Sequence, residues 1–461
     1  TAVWSASCEQ NFRDAARGAR QFGCGSHAPP RCNAMDPDEK ATLLGDDLPP
    51  YATTRATWVR FCVCFGMLHG CAVTSMAYAS SFQGRSVSSI TLSVFFGAYT
   101  LSALLVATNV VRSAGVLHSL LLGFAGYVAL SLSYVSYELL GGGLFADCLV
   151  VGASLVAGVG GGLLWVAQTA QYAVASQAYA EVQDIEPAEA SSEFAAIFAA
   201  IYVSAEALVK LATSLTLVAG ASLTGAIASL VALGALATLA FLWNPLDIGL
   251  GYRARRPGDE RLPIFDGSGL RAVLSAHASD ARLWYLAPLT LGFGYSSALF
   301  TDWVDAVVDE ERGDSTVALV SAITTITAGV AVFPVNAIFA YGGSRAPVAL
   351  AVLAYGTLGA LILGLGSLDR ISEWSNLVAI FALQGVNRAI FENSTKFIFL
   401  DTFRGSGHVD AALASIYAHS GFASTVTFAS LFSENIGLAG AALLLFALGI
   451  GLGFYLVDRG P

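Results

Sequence analysis

The sequence predicts an all-α integral membrane protein with twelve transmembrane helices in two six-helix halves. Three observations lead there. The 461 residues are 55 % hydrophobic and only 12 % charged, with a mean hydropathy of +0.65, far from the composition of soluble domains. The chain then breaks into apolar segments each long enough to cross a bilayer at 1.5 Å per helical residue. Finally, its longest break, at 244–282, divides those segments six and six.

Residues 1–56 form an N-terminal tail without an apolar core. Its first part carries Arg13, Arg17, Arg20 and Arg31, which fits a targeting remnant, an upstream extension or a plain tail. Residues 36–56 are acidic and proline-bearing, a juxtamembrane arm. The first half, 57–243, holds spans near 58–80, 90–110, 116–137, 148–175, 194–218 and 223–243. Gly66 and Gly70 give span one a small-xxx-small contact face with His69 between them. That histidine reads either as a packed neutral side chain or as part of a ligand face. Gly141, Gly142 and Gly143 turn the chain into span four, and an acidic loop with Glu181, Asp184, Glu186 and Glu189 is expected after it. The inter-half segment 244–282 carries Arg253, Arg255, Arg256, Arg261, Arg271 and Arg282. The second half, 283–457, holds spans near 283–304, 317–340, 346–368, 376–400, 411–432 and 436–457, and 458–461 is the C-terminal tail.

Basic residues set the orientation. With both termini in the cytoplasm, or on an equivalent side such as a stroma, the inner loops collect the six central arginines plus Arg112, Arg345 and Arg404. The outer loops hold only Arg85, Arg312 and Arg370. Twelve spans with a basic midpoint loop are the architecture of the major facilitator superfamily. A broken-helix transporter would carry paired interruptions in matching halves, and only Pro334 in span eight interrupts.

The most informative stretch is 384–401, QGVNRAIFENSTKFIFLD, in span ten. Arg388, Glu392 and Lys396 recur every four residues and so form one drifting stripe, headed by Gln384 and flanked by Asn387 and Thr395. A charge at mid-bilayer costs roughly 2.5–3.5 kcal/mol, so the three must meet one another, other partners or water. Pairing along the helix, Arg388 to Glu392 to Lys396, leaves one net positive charge, and Glu392 is expected to be the residue whose loss costs most. An intrahelical salt bridge buried for packing is one reading, and a polar stripe on a central cavity is the other. Glu206 and Lys210 repeat the four-residue spacing in span five. Glu206 and Arg388 each lie about 13 residues, about 20 Å, from their membrane entry, which predicts a charge network across the two halves with His419 as a further member. Asp302 and Asp305 are expected at the rim of span seven, and the sequon at Asn393 lies inside a span, out of reach of glycosylation.

In span four, Trp165, Gln168 and Tyr172 share a helix face. That face suits a small polar ligand, and interhelical hydrogen bonding accounts for it equally. The glycines beside it, Gly158, Gly160, Gly161 and Gly162, are expected to let other helices approach backbone to backbone.

Other chemistries find no residues. The seven cysteines show no ligand or disulfide spacing, so neither a metal nor any other cofactor is expected. No basic patch points to nucleic acid. No nucleophile–base pair, phosphate loop or HExxH occurs in the short soluble segments, which argues against an enzyme.

Particular segments carry a family resemblance. SVFFGAYTLSALLVATNVVRSAGVLHSLLLGFAGYVAL, with Gly123, Gly126 and Tyr127, and GVGGGLLWVAQTAQY in span four resemble the Unc-ninety-three-like branch of the superfamily. PLTLGFGYSSALFTDWV, the 384–401 stretch and AALASIYAHSGFASTVTF are similar to its second half. Thr169 stands where that pattern has glycine, and Gln171 where it has the aromatic. The loops after spans two and eight, NVVRSAG at 109–115 and AYGGSR at 340–345, lack the charged gate of ordinary facilitator transporters. Members of the branch are known as a potassium-channel regulatory subunit and a receptor-trafficking chaperone. The resemblance therefore implies an accessory, regulatory or scaffold subunit in the bilayer whose partner is another membrane protein. The polar stripe supports the alternative, a secondary transporter of a small polar or ionic solute through a midplane cavity.

Overall fold

Glycines and short turns cut the apolar chain into helices. The computed structural model describes residues 51–243, 268–303, 308, 313–403, 406, 408–430 and 435–459. Twelve long helices occupy them: α1 (Tyr51–Met76), α2 (Ala79–Leu105), α3 (Val116–Leu140), α4 (Leu144–Gln183), α5 (Pro187–Val218), α6 (Leu223–Trp243), α7 (Arg282–Trp303), α8 (Asp314–Gly342), α9 (Arg345–Leu365), α10 (Trp374–Phe403), α11 (Val409–Ser430) and α12 (Ile436–Arg459). Short helices at Ala107–Ala114, Ser268–Ser279 and Leu368–Ile371 connect them. The N-terminal tail through residue 50, the five arginines Arg253, Arg255, Arg256, Arg261 and Arg404, and Asp305 and Arg312 lie outside the described residues. So do residues 460 and 461 of the C-terminal tail.

Gly141, Gly142 and Gly143 take φ of 71°, 75° and 89°, left-handed values that other residues adopt only with strain, and so deliver the turn into α4. After α4 the structure departs from the expected acidic loop. Helix runs through Gln183 and resumes at Pro187, leaving a three-residue turn in which Asp184 itself is left-handed (φ 50°). Pro187 at the first position of α5 lets the helix restart at once.

The helix contacts repeat between the halves. In the first, α1 packs on α5 and α6, α3 on α4 and α6, and α2 on α4. In the second, α7 packs on α11 and α12, α9 on α10 and α12, and α8 on α10. Each contact recurs six helices later. The halves meet through α2 with α11 and α5 with α8, themselves a symmetric pair of contacts. This is a major-facilitator-like fold.

Nine of the twelve helices are apolar and long enough to cross a membrane by length and composition. The other three, α7, α10 and α11, all touch one another. Their lower hydropathy follows from this position: polar side chains such as Thr290, Ser296, Gln384, Asn387, Ser415 and Ser424 are buried against protein here. Outward faces carry exposed Leu144, Phe145, Leu215, Leu236, Phe333 and Leu448, the apolar coat of a multi-pass membrane protein.

Candidate functional site at the junction of the halves

Small residues bring three interfaces together at one depth. A Cβ on Gly70 of α1 would sit 3.0 Å from Glu206 Cα, and one on Gly66 would sit 3.1 Å from Tyr202 Cα, so these two glycines seat α5 against α1. Gly329 of α8 faces Val203 of α5 at 3.0 Å, and Gly385 of α10 lies against Thr324 and Ala328 of α8. One turn beyond each glycine contact lies a charged or hydroxyl side chain, and these meet.

Glu206 is their centre. Its Oε1 accepts from Lys210 Nζ at 2.6 Å, Thr325 Oγ1 at 3.0 Å and Arg388 Nη1 at 2.7 Å, and its Oε2 accepts from Arg388 Nη2 at 2.7 Å. Lys210 also donates to Thr325 Oγ1 (2.9 Å), and Arg388 donates from Nη2 to the Tyr202 hydroxyl (3.2 Å) and from Nε to Glu392 Oε1 (2.8 Å). Glu206 is 1 % exposed and Lys210 5 %. A buried carboxylate with four donors from three helices is compensated for its desolvation.

The span-ten stripe is therefore only partly an intrahelical chain. Arg388 pairs with Glu392, but its two terminal nitrogens turn to Glu206. Among the described residues no carboxylate lies within 4.0 Å of Lys396, so the expected Glu392–Lys396 link is not formed. Lys396 Nζ instead stands 5.6 Å from the Tyr417 ring centroid. One glutamate lies four residues from each cation along α10, but Glu206 reaches further into the protein and meets both guanidinium nitrogens at once. Gln384 and Asn387 are buried, and Gln384 Oε1 and both Asn387 polar atoms have no protein partner among the described residues.

An aromatic cluster lies beside the charges. His69 packs edge-on to Trp165 (centroids 5.5 Å) and Tyr202 (5.0 Å), with Phe65 stacked at 6.2 Å and Tyr127 at 6.0 Å. Its Nδ1 is 3.8 Å from Glu206 Oε2 and makes no hydrogen bond, while its Nε2 lies 3.5 Å from the Tyr202 hydroxyl, so it touches the network through Tyr202. Phe65 carried no sequence signal beyond its apolarity, and Tyr127 stood out only in the Gly123–Gly126–Tyr127 pattern of the family resemblance. Trp165 joins this cluster, and Gln168 is buried on the same face. Tyr172 is tied to α5 by a 2.7 Å bond to the Ser191 carbonyl and a short contact with the Ser191 hydroxyl, and packs on Trp58.

His419 falls elsewhere. Its Nε2 is 2.9 Å from His277 Nε2 and its Nδ1 3.0 Å from Thr290 Oγ1, while His277 Nδ1 lies 2.8 Å from the Val273 carbonyl. A carbonyl only accepts, so His277 Nδ1 carries a proton toward it. The sequence placed His419 in the charge network by its depth alone. Its direction on α11 points it instead at the Ser268–Ser279 helix, which lies inside the segment expected to be a loop.

The span-four glycines separate by face. Cβ atoms on Gly158 and Gly162 would run into α2, at the Phe95 carbonyl and at Ala103 N (2.8 Å). Gly160 faces the Leu122 carbonyl of α3 at 3.2 Å, and Gly161 faces Tyr127 and Tyr99. At the end of the bundle where α1 finishes, further bonds join the halves. Tyr78 donates to the Asp314 carbonyl (2.9 Å), Ser214 to the Ser315 carbonyl (2.7 Å), and Arg85 reaches Asp302 at 3.4 Å. Asp302, expected as a rim residue, is buried in that cross-half contact. Asn393 contacts Asn336 of α8. Arg345 pairs with Asp458 at 2.7 Å and stays within the second half.

No family model and no curated protein matches the chain. Solved structures do. A mutant of the nucleoside transporter NupG aligns with a TM-score of 0.57 at 10 % identity, covering 88 % of this chain and 99 % of that one. The xylose transporter XylE from E. coli, in a partially occluded inward-open conformation, aligns at 0.56 and 13 % identity over 86 % and 96 %. A bacterial homologue of the human drug peptide transporters PepT1 and PepT2 aligns at 0.57 and 12 % over 89 % and 100 %. At these identities the likeness concerns the fold.

Proposed function

We propose that the chain is a secondary transporter that binds a small polar or ionic solute in the cavity between its halves. The observation that carries this is the two-point ion pair between Glu206 of α5 and Arg388 of α10, one partner from each half, with the exposed Lys396 two turns further along α10. For the halves to rock about a central site, such a pair must part and re-form. A buried pair parts only when a solute or a proton replaces one partner's charge, because a lone buried ion is costly. That coupling is what a transporter needs and what a static scaffold does not.

The structural neighbours are named for nucleoside, xylose and peptide transport, three unrelated cargoes, so they support the mode and not the solute. The accessory reading rests on the Unc-ninety-three-like resemblance and on the missing charged gates in the 109–115 and 340–345 loops.

The test is uptake into liposomes holding the purified full-length chain, with a panel of labelled small solutes and an imposed pH gradient. Saturable uptake that Glu206→Gln abolishes is expected. A well-folded chain that moves no solute, but co-purifies stoichiometrically with another membrane protein, would overturn the transporter reading.

A further inference from the structure

We propose that the solute is a small organic monoanion, a carboxylate, and that Lys396 receives it. This rests on the cavity reading above. Lys396 is exposed, its Nζ lies 5.6 Å from the Tyr417 ring of α11, and Glu392 of its own helix and Tyr172 of α4 are near enough to act on its charge. Groups of both halves act on its charge, and we place the surface it exposes in the space between them. It lies seven residues before the end of α10, about 10 Å in from that end.

The charges around it do not balance. Glu206 and Glu392 supply two negative charges, and Lys210, Arg388 and Lys396 supply three positive ones, which leaves one positive charge. Both carboxylates are engaged by Arg388 or Lys210, and the uncompensated cation is Lys396. An unpaired cation at membrane depth is unfavourable. A neutral solute would leave it so and a cation would be repelled, whereas a monoanion brings the sum to zero.

The opposite wall fits the rest of such a molecule. Gln168, 5 % exposed, makes no hydrogen bond to protein among the described residues. It lies on the α4 face between Trp165, which packs on Tyr202, and Tyr172. Its amide can donate to a second carboxylate oxygen or a hydroxyl, and the Trp165, Tyr172 and Tyr417 rings provide apolar contact for an organic body.

The experiment is thermal unfolding of the full-length chain in phosphatidylcholine nanodiscs. Each run adds one member of a matched pair: benzoate or benzamide, nicotinate or nicotinamide, lactate or lactamide. At least one carboxylate should raise the midpoint by about 2 °C or more, with its amide inactive. Lys396→Arg should keep that shift and Lys396→Gln should lose it. Without additive, Lys396→Gln should be as stable as the parent, since it removes an unpaired charge. If Lys396→Gln destabilises the empty protein as Glu206→Gln does, Lys396 is structural and the proposal fails. It also fails if no carboxylate exceeds its amide, or if only phosphatidylglycerol in the disc gives the Lys396-dependent shift, which would make a lipid headgroup the occupant. Uptake of neutral solutes unaffected by Lys396→Gln would overturn the carboxylate and leave transport standing. Carboxylate binding without flux would do the reverse.

Discussion

Arg388 and Glu206 lie 182 residues apart in the chain and meet through two N–H···O bonds of 2.7 Å each, one from each terminal guanidinium nitrogen. This fork-to-carboxylate geometry has the best angular match available to an ion pair, and it spans the boundary between the halves. Glu206 also holds Lys210.

Glu206→Ala should therefore be the most damaging single charge deletion, because it leaves buried Lys210 without a carboxylate and Arg388 with only Glu392. A loss of about 3–5 kcal/mol is expected. Arg388→Ala should cost less, since Lys210 still neutralises Glu206. Glu392→Ala should cost least, its side chain being 30 % exposed. Thermal unfolding in detergent ranks the three, and a larger loss for Glu392→Ala would return the hub to α10.

Glycine substitutions separate close packing from mere helix content. Gly158→Ala places a Cβ against the Phe95 carbonyl of α2 and should cost about 1–3 kcal/mol. Gly152→Ala, on the same helix with nothing within 4 Å of the new atom, should be neutral or stabilise by up to about 1 kcal/mol. Equal losses at both positions would mean that α2 and α4 are not in close contact there.

At the end where α1 finishes, the halves are joined in part by Tyr78, whose hydroxyl donates to the Asp314 carbonyl and accepts from Ala318 N–H (3.2 Å). Tyr78→Phe removes both bonds, about 1–2 kcal/mol together, and shifts the population towards opening at that end. A cysteine placed at Ser315, with the exposed Cys148 replaced by Ser, should then react about 5–30-fold faster with a membrane-impermeant thiol reagent. Unchanged labelling would show that Tyr78 is not part of the closure.

Asp280 gives a pH-dependent tie outside the membrane. Its carboxylate accepts from Arg282 N, Nε and Nη2 at 3.1, 2.9 and 2.6 Å, and Arg282 in turn donates to the Thr402 carbonyl of α10 at 2.8 Å. The Arg282 hydrogen bonds hold the Asp280 carboxyl below its ordinary value. A depressed folded-state value contributes stability above the unfolded-chain value, about 3.9, and loses it as pH falls through the folded one. Asp280→Asn should cost about 1 kcal/mol or less at pH 7, and the gap to the parent should close below about pH 4. A gap that persists there would assign the effect to packing.

The helices, the six-and-six division and the drifting stripe on α10 were legible in the sequence because they depend on local quantities: segment length, hydropathy and the four-residue recurrence of Arg388, Glu392 and Lys396. The similar depths of Glu206 and Arg388 followed from counting along helices of known rise. Which side chain answers which was decided by the tertiary structure. Depth fixes the height of a residue on its helix but not the direction in which its side chain points. So the sequence placed His419 by height in the network, where the rotation of α11 turns it to His277. It assigned Glu392 the central role by proximity along one helix, where the approach of α5, permitted by Gly66 and Gly70, brings Glu206 to Arg388. It left Asp302 at a rim, where the structure buries it within reach of Arg85 from the other half. Hydropathy and periodicity set what each helix offers, and the relative rotation of the packed helices sets what it meets.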